Sequence, residues 1–96
     1  MDEEKRMQRV ELIVHGVVQG VGFRYHTCQQ ALQMGLSGYV KNLADGTVEI
    51  VAEGDSQTLQ ALVAWAQQGP TAARVTQVES AAKAATGEFD SFAIAH

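Results

Sequence analysis

The sequence predicts an α+β fold in which two helices pack on one face of an antiparallel sheet of four to five strands, the ferredoxin-like βαββαβ sandwich. The main observation is the order of two sequence patterns along the chain. Segments in which apolar and polar residues alternate, as in strands, and segments with the apolar spacing of a helix follow one another in the order βαββαβ. The second is that 96 residues, of which 46% are hydrophobic and 19% charged, suit one small core. We therefore expect a single domain over residues 8–96, preceded by a flexible tail over residues 1–7.

The first half of the chain predicts a strand, a loop and a helix. Apolar residues alternate from Gln8 to His15, which is typical of a half-buried strand. Three glycines within Gly16–Gly22 then indicate an irregular loop. A helix is expected over residues 22–34, with Gly35 as its C-terminal cap. The expected core residues of the strand and the helix are Val10, Leu12, Val14, Phe23, Thr27, Cys28, Ala31, Leu32 and Met34.

The second half predicts a hairpin followed by a helix. Strands are expected on both sides of Asp45-Gly46, a pair that favours a two-residue turn with positive φ at both positions. The expected strand residues are Leu36 to Leu43 and then Val48, Ile50 and Ala52, which alternate with Glu49, Val51 and Glu53. We interpret both glutamates as solvated. Asp55 or Ser56 can cap the second helix, and Gly69-Pro70 ends it.

The C-terminal part predicts two further strands. The helix before them carries a core stripe of Leu59, Leu62, Val63 and Ala66. Val75 to Glu79 is expected to be the fourth strand, and Phe89 to Ile94 a short final one. Small residues dominate positions 80–88, which indicates a loop.

Charge and cysteine content exclude several classes of protein. Seven Lys and Arg residues against eleven Asp and Glu give a net charge of −4, which argues against a general nucleic-acid binder and against docking on anionic membranes. The one cysteine, Cys28, excludes an intramolecular disulfide and fits a reducing compartment. No apolar run approaches a membrane span, and the charged N-terminus is not typical of a signal peptide. We expect a cytoplasmic protein, with no strong signal for an oligomer, and hence a monomer.

The Gly16–Gly22 loop is the best candidate for a binding site. It leads from a strand into a helix, whose first N–H groups and positive dipole end favour an anion. Arg24, in the first helical turn, could hold two phosphate oxygens. The P-loop and dinucleotide fingerprints do not fit, because no Gly-Lys is present and position 25 is Tyr25. A plain turn with a solvated arginine is the alternative.

Other polar residues leave two interpretations open. Asn42, three residues before Asp45, could hold a water or substrate oxygen, or only help to form the turn.

His15, His26 and Cys28 could suggest a metal, but they lack the usual ligand spacing, so no metal site is expected.

Two motifs together are similar to the acylphosphatase family. The first is Gly16 to Arg24 followed by Thr27, and the second is Gly38 to Asn42 followed by Asp45 to Glu49. The resemblance runs from about residue 8 to the end of the chain. Two differences are Tyr39, where the family often has tryptophan, and His96, where many members have tyrosine or arginine.

The resemblance implies an enzyme that hydrolyses the carboxyl–phosphate bond of acyl phosphates, giving a carboxylate and inorganic phosphate without a metal or organic cofactor. It implies that Arg24 and Asn42 are catalytic, with Asn42 positioning water. The phosphate would bind to Arg24 and to the loop formed by Gln19, Gly20, Val21, Gly22 and Phe23. One alternative is a non-catalytic module of the same fold that binds phosphate or carbamoyl phosphate. An RNA-binding module is disfavoured by the charge and by the few aromatic residues in the strands.

Overall fold

The computed structural model describes residues 6–96, and the predicted order of elements is confirmed there. The elements are β1 (Gln8–Val17), α1 (Phe23–Gln33), β2 (Ser37–Asn42), β3 (Val48–Gly54), α2 (Ser56–Gln68), β4 (Arg74–Ala84) and β5 (Phe92–Ala95). Of the predicted tail, residues 1–5 lie outside the described residues, and Arg6 and Met7 are exposed.

The strands form one sheet in the order β4-β1-β3-β2-β5. The neighbours from β4 to β2 are antiparallel, as predicted, but β5 runs parallel to β2. The expectation of a purely antiparallel sheet is therefore wrong at one edge. The reason is the route of the chain, which crosses from β4 at one edge of the sheet to β5 at the other. Strand β5 runs opposite to β4, and this is also the direction of β2.

The core lies between the sheet and the two helices. Leu12, Val14 and Ile50 of the sheet are buried there together with residues of both helices. The predicted stripe of α1 is confirmed at Phe23, Thr27 and Ala31, and that of α2 at Leu59, Leu62 and Ala66. The prediction is wrong for Leu32, which is 49% exposed because it lies beside the stripe and not within it.

Helix α2 has the boundaries that its flanking residues predicted. The Asp55 carboxylate accepts a hydrogen bond from the backbone N–H of Thr58 at 2.9 Å, so Asp55 is the N-cap. At the other end Gly69 closes the helix with its N–H bonded to the carbonyl of Trp65 at 2.8 Å. A side chain at Gly69 would contact the Phe23 ring, because a Cβ there would lie 2.6 Å from Cε2 of Phe23. The end of α2 thus packs closely on the start of α1.

Strand β4 is longer than predicted, and the loop after it is shorter. It continues past Glu79 to Ala84, because each residue of this small-residue segment pairs with β1, up to Gln8 opposite Ala84. The prediction of a loop over residues 80–88 is therefore wrong for residues 80–84, which belong to β4. The reason is that pairing with a neighbouring strand overrides the low β propensity of alanine. Strand β5 begins at Phe92, and Phe89 belongs to the loop.

Residues 85–91, which we call the strap, cross the sheet face opposite the helices. Glu53 of β3 anchors it, accepting hydrogen bonds at 3.0 Å from the N–H groups of Thr86 and Gly87. Arg9 of β1 donates to the same carboxylate at 3.0 Å and lies 5.6 Å from the centroid of the Phe89 ring. Glu53 is only 1% exposed, so its interpretation as a solvated residue is wrong: the strap covers it.

The charge of Glu53 is stabilised by these partners. Burial raises the pKa of the carboxyl, but the hydrogen bonds from Thr86, Gly87 and Arg9 outweigh burial and lower the pKa to about 2. The pKa of Arg9 is correspondingly raised by its bond to Glu53. The strap is thus held to the sheet by a buried carboxylate that stays ionised.

Candidate active site

The loop between β1 and α1 contains two glycines with positive φ and leads directly into the N-terminus of α1. Gly20 and Gly22 have φ values of 75° and 79°, a region that glycine adopts without strain. Gly22 is the N-cap of α1, and no side chain caps this helix. The first N–H groups of α1 consequently remain available to a ligand, at the end of the helix that favours negative charge.

Arg24 projects from the first turn of α1 next to this loop. The preceding residue, Phe23, is buried and its ring lies 5.6 Å from the Trp65 ring, so the start of α1 is anchored in the core. No carboxylate within residues 6–96 forms an ion pair with Arg24. Its guanidinium donates to Nδ1 of His96 at 3.4 Å, a long contact that leaves most of its donors free for an anion.

Asn42 comes from the other side of the site, at the end of β2. The turn after it is not the predicted two-residue type: Leu43 pairs with Thr47, and Gly46 donates to the Leu43 carbonyl at 3.1 Å. Within this turn only Gly46 has a positive φ, of 91°. The Asp45 carboxylate accepts hydrogen bonds from the N–H and the hydroxyl of Thr47, and these bonds lower the pKa of the Asp45 carboxyl. Three-residue hairpin loops typically consist of a type I turn followed by a residue with positive φ, which here is Gly46.

Gln19 ties the loop to this hairpin. Its side-chain amide donates to the carbonyl oxygens of Leu43 at 2.8 Å and Thr47 at 2.9 Å. The Gln19 side chain therefore points towards the hairpin and away from the ligand-binding side. Any contribution of Gln19 to anion binding falls to its backbone.

The loop, Arg24 and Asn42 meet in one cavity of about 270 Å³. Its lining residues are Val18, Gly20, Gly22, Phe23, Arg24, Tyr25, Asn42, Ile94 and His96. Of the predicted site residues, Gln19 and Val21 do not line it. Val21 instead faces a second cavity that it shares with His26 and Trp65.

Among the residues that line this cavity, Asn42 has a buried amide oxygen without a hydrogen-bond partner. Its Oδ1 is inaccessible to solvent and forms no hydrogen bond within residues 6–96. A buried acceptor without a partner costs about 1–3 kcal/mol, which a rotation of the amide towards a donor in the cavity would offset. Asn42 and Arg24 line the same cavity.

Tyr25, Ile94 and His96 line the cavity although nothing in the sequence pattern selected Tyr25 or Ile94. Ile94 and His96 come from β5 and the residue after it, which reach the site through the parallel pairing of β5 with β2. Spacing along the chain could not place Ile94 and His96 in the site, because they lie about 70 positions from Arg24.

The other residues considered for metal binding do not converge. Nε2 of His15 lies 2.5 Å from the Glu79 carboxylate on the adjacent strand, and the Cys28 thiol contacts the Phe92 carbonyl at 3.8 Å. Within residues 6–96 no group of three or more His, Cys, Asp or Glu side chains could hold a metal ion.

The sequence and the fold match known proteins over nearly the whole chain. Residues 10–94 match the family model for acylphosphatase. A curated acylphosphatase of Methylococcus capsulatus is 49% identical over 88 residues, which cover 92% of this chain and 96% of that protein. The crystal structure of acylphosphatase from Bacillus subtilis superposes with a TM-score of 0.89 at 37% identity, covering 93% of this chain and 99% of the other.

A larger protein contains the same fold as a part. Full-length HypF, crystallised in a phosphate- and nucleotide-bound form, matches with a TM-score of 0.87 at 25% identity. The match covers 96% of this chain and 12% of that one.

The βαββαβ sandwich brings a glycine-rich loop, an arginine without a carboxylate partner within residues 6–96 and an asparagine to one cavity, and its fold is that of the acylphosphatases. The chain belongs to the acylphosphatase family, and its activity is the hydrolysis of small acyl phosphates. In the part of the chain that the structure describes, no helix has the length and apolarity to cross a membrane.

Proposed function

We propose that this acylphosphatase binds the phosphoryl group of its substrate between Arg24 and the N–H groups of the loop from Gln19 to Phe23. The observation that carries this proposal is the convergence of an unpaired guanidinium and an uncapped helix N-terminus on one cavity. Both groups are placed before the substrate arrives, so they stabilise the charge of the transferring phosphoryl group without reorganisation.

We propose that Asn42 positions the attacking water. Asn42 lines the cavity, and its side-chain amide can hold that water by a hydrogen bond. The water attacks phosphorus, the bond from phosphorus to the acyl oxygen breaks, and the carboxylate leaves with that electron pair. A water proton passes to a phosphoryl oxygen of the substrate, since Asn42 cannot take it. An acyl phosphate has a good leaving group, so positioning and charge stabilisation supply most of the catalysis.

The remaining proposals concern the setting of the reaction. One domain over residues 8–96 carries all the residues named above, and it works as a monomer without a metal or cofactor. Its product is inorganic phosphate with a free carboxylate. The net charge of −4 argues against a nucleic-acid partner, and the free cysteine, Cys28, fits a reducing, cytoplasmic compartment.

The test is hydrolysis of benzoyl phosphate, followed by loss of its ultraviolet absorbance with EDTA present. Wild type and Arg24→Ala are compared after their folding has been checked by circular dichroism. We expect rapid turnover by the wild type and loss of most of it in the variant. Sensitivity to EDTA would contradict the metal-independent mechanism. A folded wild type that binds phosphate but does not turn over would favour the non-catalytic alternative.

A further inference from the structure

The cavity extends beyond the phosphate-binding loop to a wall formed by Tyr25, Ile94 and His96, which we call the acyl wall. A volume of about 270 Å³ is close to the lower end of small-molecule sites, about 300 Å³, and exceeds what one phosphoryl group fills. If the phosphoryl group lies against Arg24 and the loop, as proposed above, the acyl group faces this wall. The inference therefore rests on the proposed function and concerns the substrate class.

The acyl wall consists of the Tyr25 and His96 rings and the aliphatic side chain of Ile94. The Tyr25 ring is 57% exposed and packs edge-on against His26, with ring centroids 5.3 Å apart and an interplanar angle of 79°. Ile94 is packed against the core and presents only hydrocarbon. Both residues offer surface to a ligand without a rearrangement of the fold.

His96, the third member of the wall, contributes its imidazole ring. The guanidinium of Arg24 has only donors, so Nδ1 of His96 acts as the acceptor in their 3.4 Å contact. Arg24 is the one permanently charged side chain that lines the cavity, and the phosphoryl group takes up its charge. An acyl group with a charge of its own would find no partner at the wall and would lose water on binding.

We infer that Tyr25, Ile94 and His96 determine acyl-group selectivity, and that the enzyme prefers flat, uncharged acyl groups over acyl groups that carry a second carboxylate. An aromatic acyl group gains by packing on Tyr25, whereas an acetyl group is too small to cover the ring. The ring interaction makes the benzoyl-to-acetyl ratio of kcat/KM depend on Tyr25.

The experiment measures phosphate release from benzoyl, acetyl and succinyl phosphate by wild type and variants. In Tyr25→Ala the benzoyl-to-acetyl ratio of kcat/KM should fall about three- to tenfold, the scale of one aromatic pair. Tyr25→Phe should restore the wild-type ratio, because it keeps the ring. Leu32→Ala is the matched control, since Leu32 is an exposed residue of the same helix outside the cavity, and its ratio should equal that of the wild type.

A second variant tests the charge argument. His96→Lys places a cation at the wall, so the succinyl-to-acetyl ratio should rise about fivefold, the scale of an exposed ion pair. Ratios within twofold of the wild type in both Tyr25→Ala and His96→Lys would overturn the inference. The proposed function fails by a different result, namely acetyl phosphate turnover that is equally fast in wild type and Arg24→Ala.

Discussion

The side-chain amide of Gln19 donates to the carbonyl oxygen of Leu43 at 2.8 Å, which ties the loop between β1 and α1 to the hairpin that carries Asn42. The same amide also donates to the Thr47 carbonyl. The loop and Asn42 come from separate βα and ββ units, so a direct bond between these units helps to fix the distance from the loop to the Asn42 amide.

Replacement of Gln19 by leucine should therefore affect both stability and catalysis. The variant keeps the approximate size of the side chain but loses two hydrogen bonds, which contribute about 1–2 kcal/mol to the free energy of unfolding. We expect a matching shift in urea denaturation and a lower kcat. Gln29→Leu, at an exposed position on α1, is the control. A destabilised Gln19→Leu with unchanged kcat would show that the hairpin does not need this bond to position Asn42.

Lysine cannot replace Arg24. Arg24→Lys keeps the positive charge but loses the planar pair of donors that matches phosphate oxygens, so most of the activity should be lost while the fold is retained. The measurement is kcat/KM for benzoyl phosphate together with the thermal unfolding temperature. A stable variant with near-normal turnover would remove Arg24 from its assigned role.

Asn42→Ala should separate catalysis from binding. The loss of one preorganised polar contact lowers kcat by roughly 10²–10³. Inhibition by inorganic phosphate should stay at the wild-type level, because Arg24 and the loop are unchanged. Loss of phosphate inhibition in this variant would instead assign Asn42 to the phosphate-binding cradle. Lys41→Ala, at the preceding position of β2, serves as the control for damage to the strand.

The strap predicts a dependence of stability on acid. The Glu53 carboxyl has a pKa of about 2 in the folded state, below its ordinary value of 4.5, so its stabilisation is present above pH 4.5 and is lost as the pH falls towards 2. Glu53→Ala should cost about 3 kcal/mol at pH 7, the lower end for breaking a buried pair, since Arg9 keeps Glu11 and Glu88 as partners. Thermal unfolding of both proteins at several pH values measures this cost. A difference in stability that does not shrink towards pH 2 would contradict the assignment of the carboxylate.

The sequence predicts the fold and the central site because both depend on local patterns. Hydrophobic alternation marks β1 and β3, helical spacing marks α2, and the glycines before Arg24 mark the loop. The burial of Glu53 has no such local signal. Its partners Thr86 and Gly87 lie 33 and 34 residues later in the chain, so its alternating position reads as solvated until the strap is in place.

The extent of β4 and the acyl wall were not predictable for a related reason. The segment after Glu79 is rich in alanine, which favours helix over strand, and only its pairing with β1 makes it a strand. Tyr25 follows Arg24 directly, but its place in the cavity depends on the geometry of the helix turn. Ile94 depends on the parallel register of β5, which the antiparallel expectation did not contain.

The contact between Arg24 and His96 joins residues that are 72 positions apart, and it depends on the strap having crossed the sheet. Closing so long a loop costs chain entropy before any contact offsets it. During refolding we therefore expect β5 and its end of the active site to assemble after the β1–β3 core. Native-like burial of Trp65 would then precede the recovery of full acyl-group discrimination, so substrate selectivity is the property that this fold acquires last.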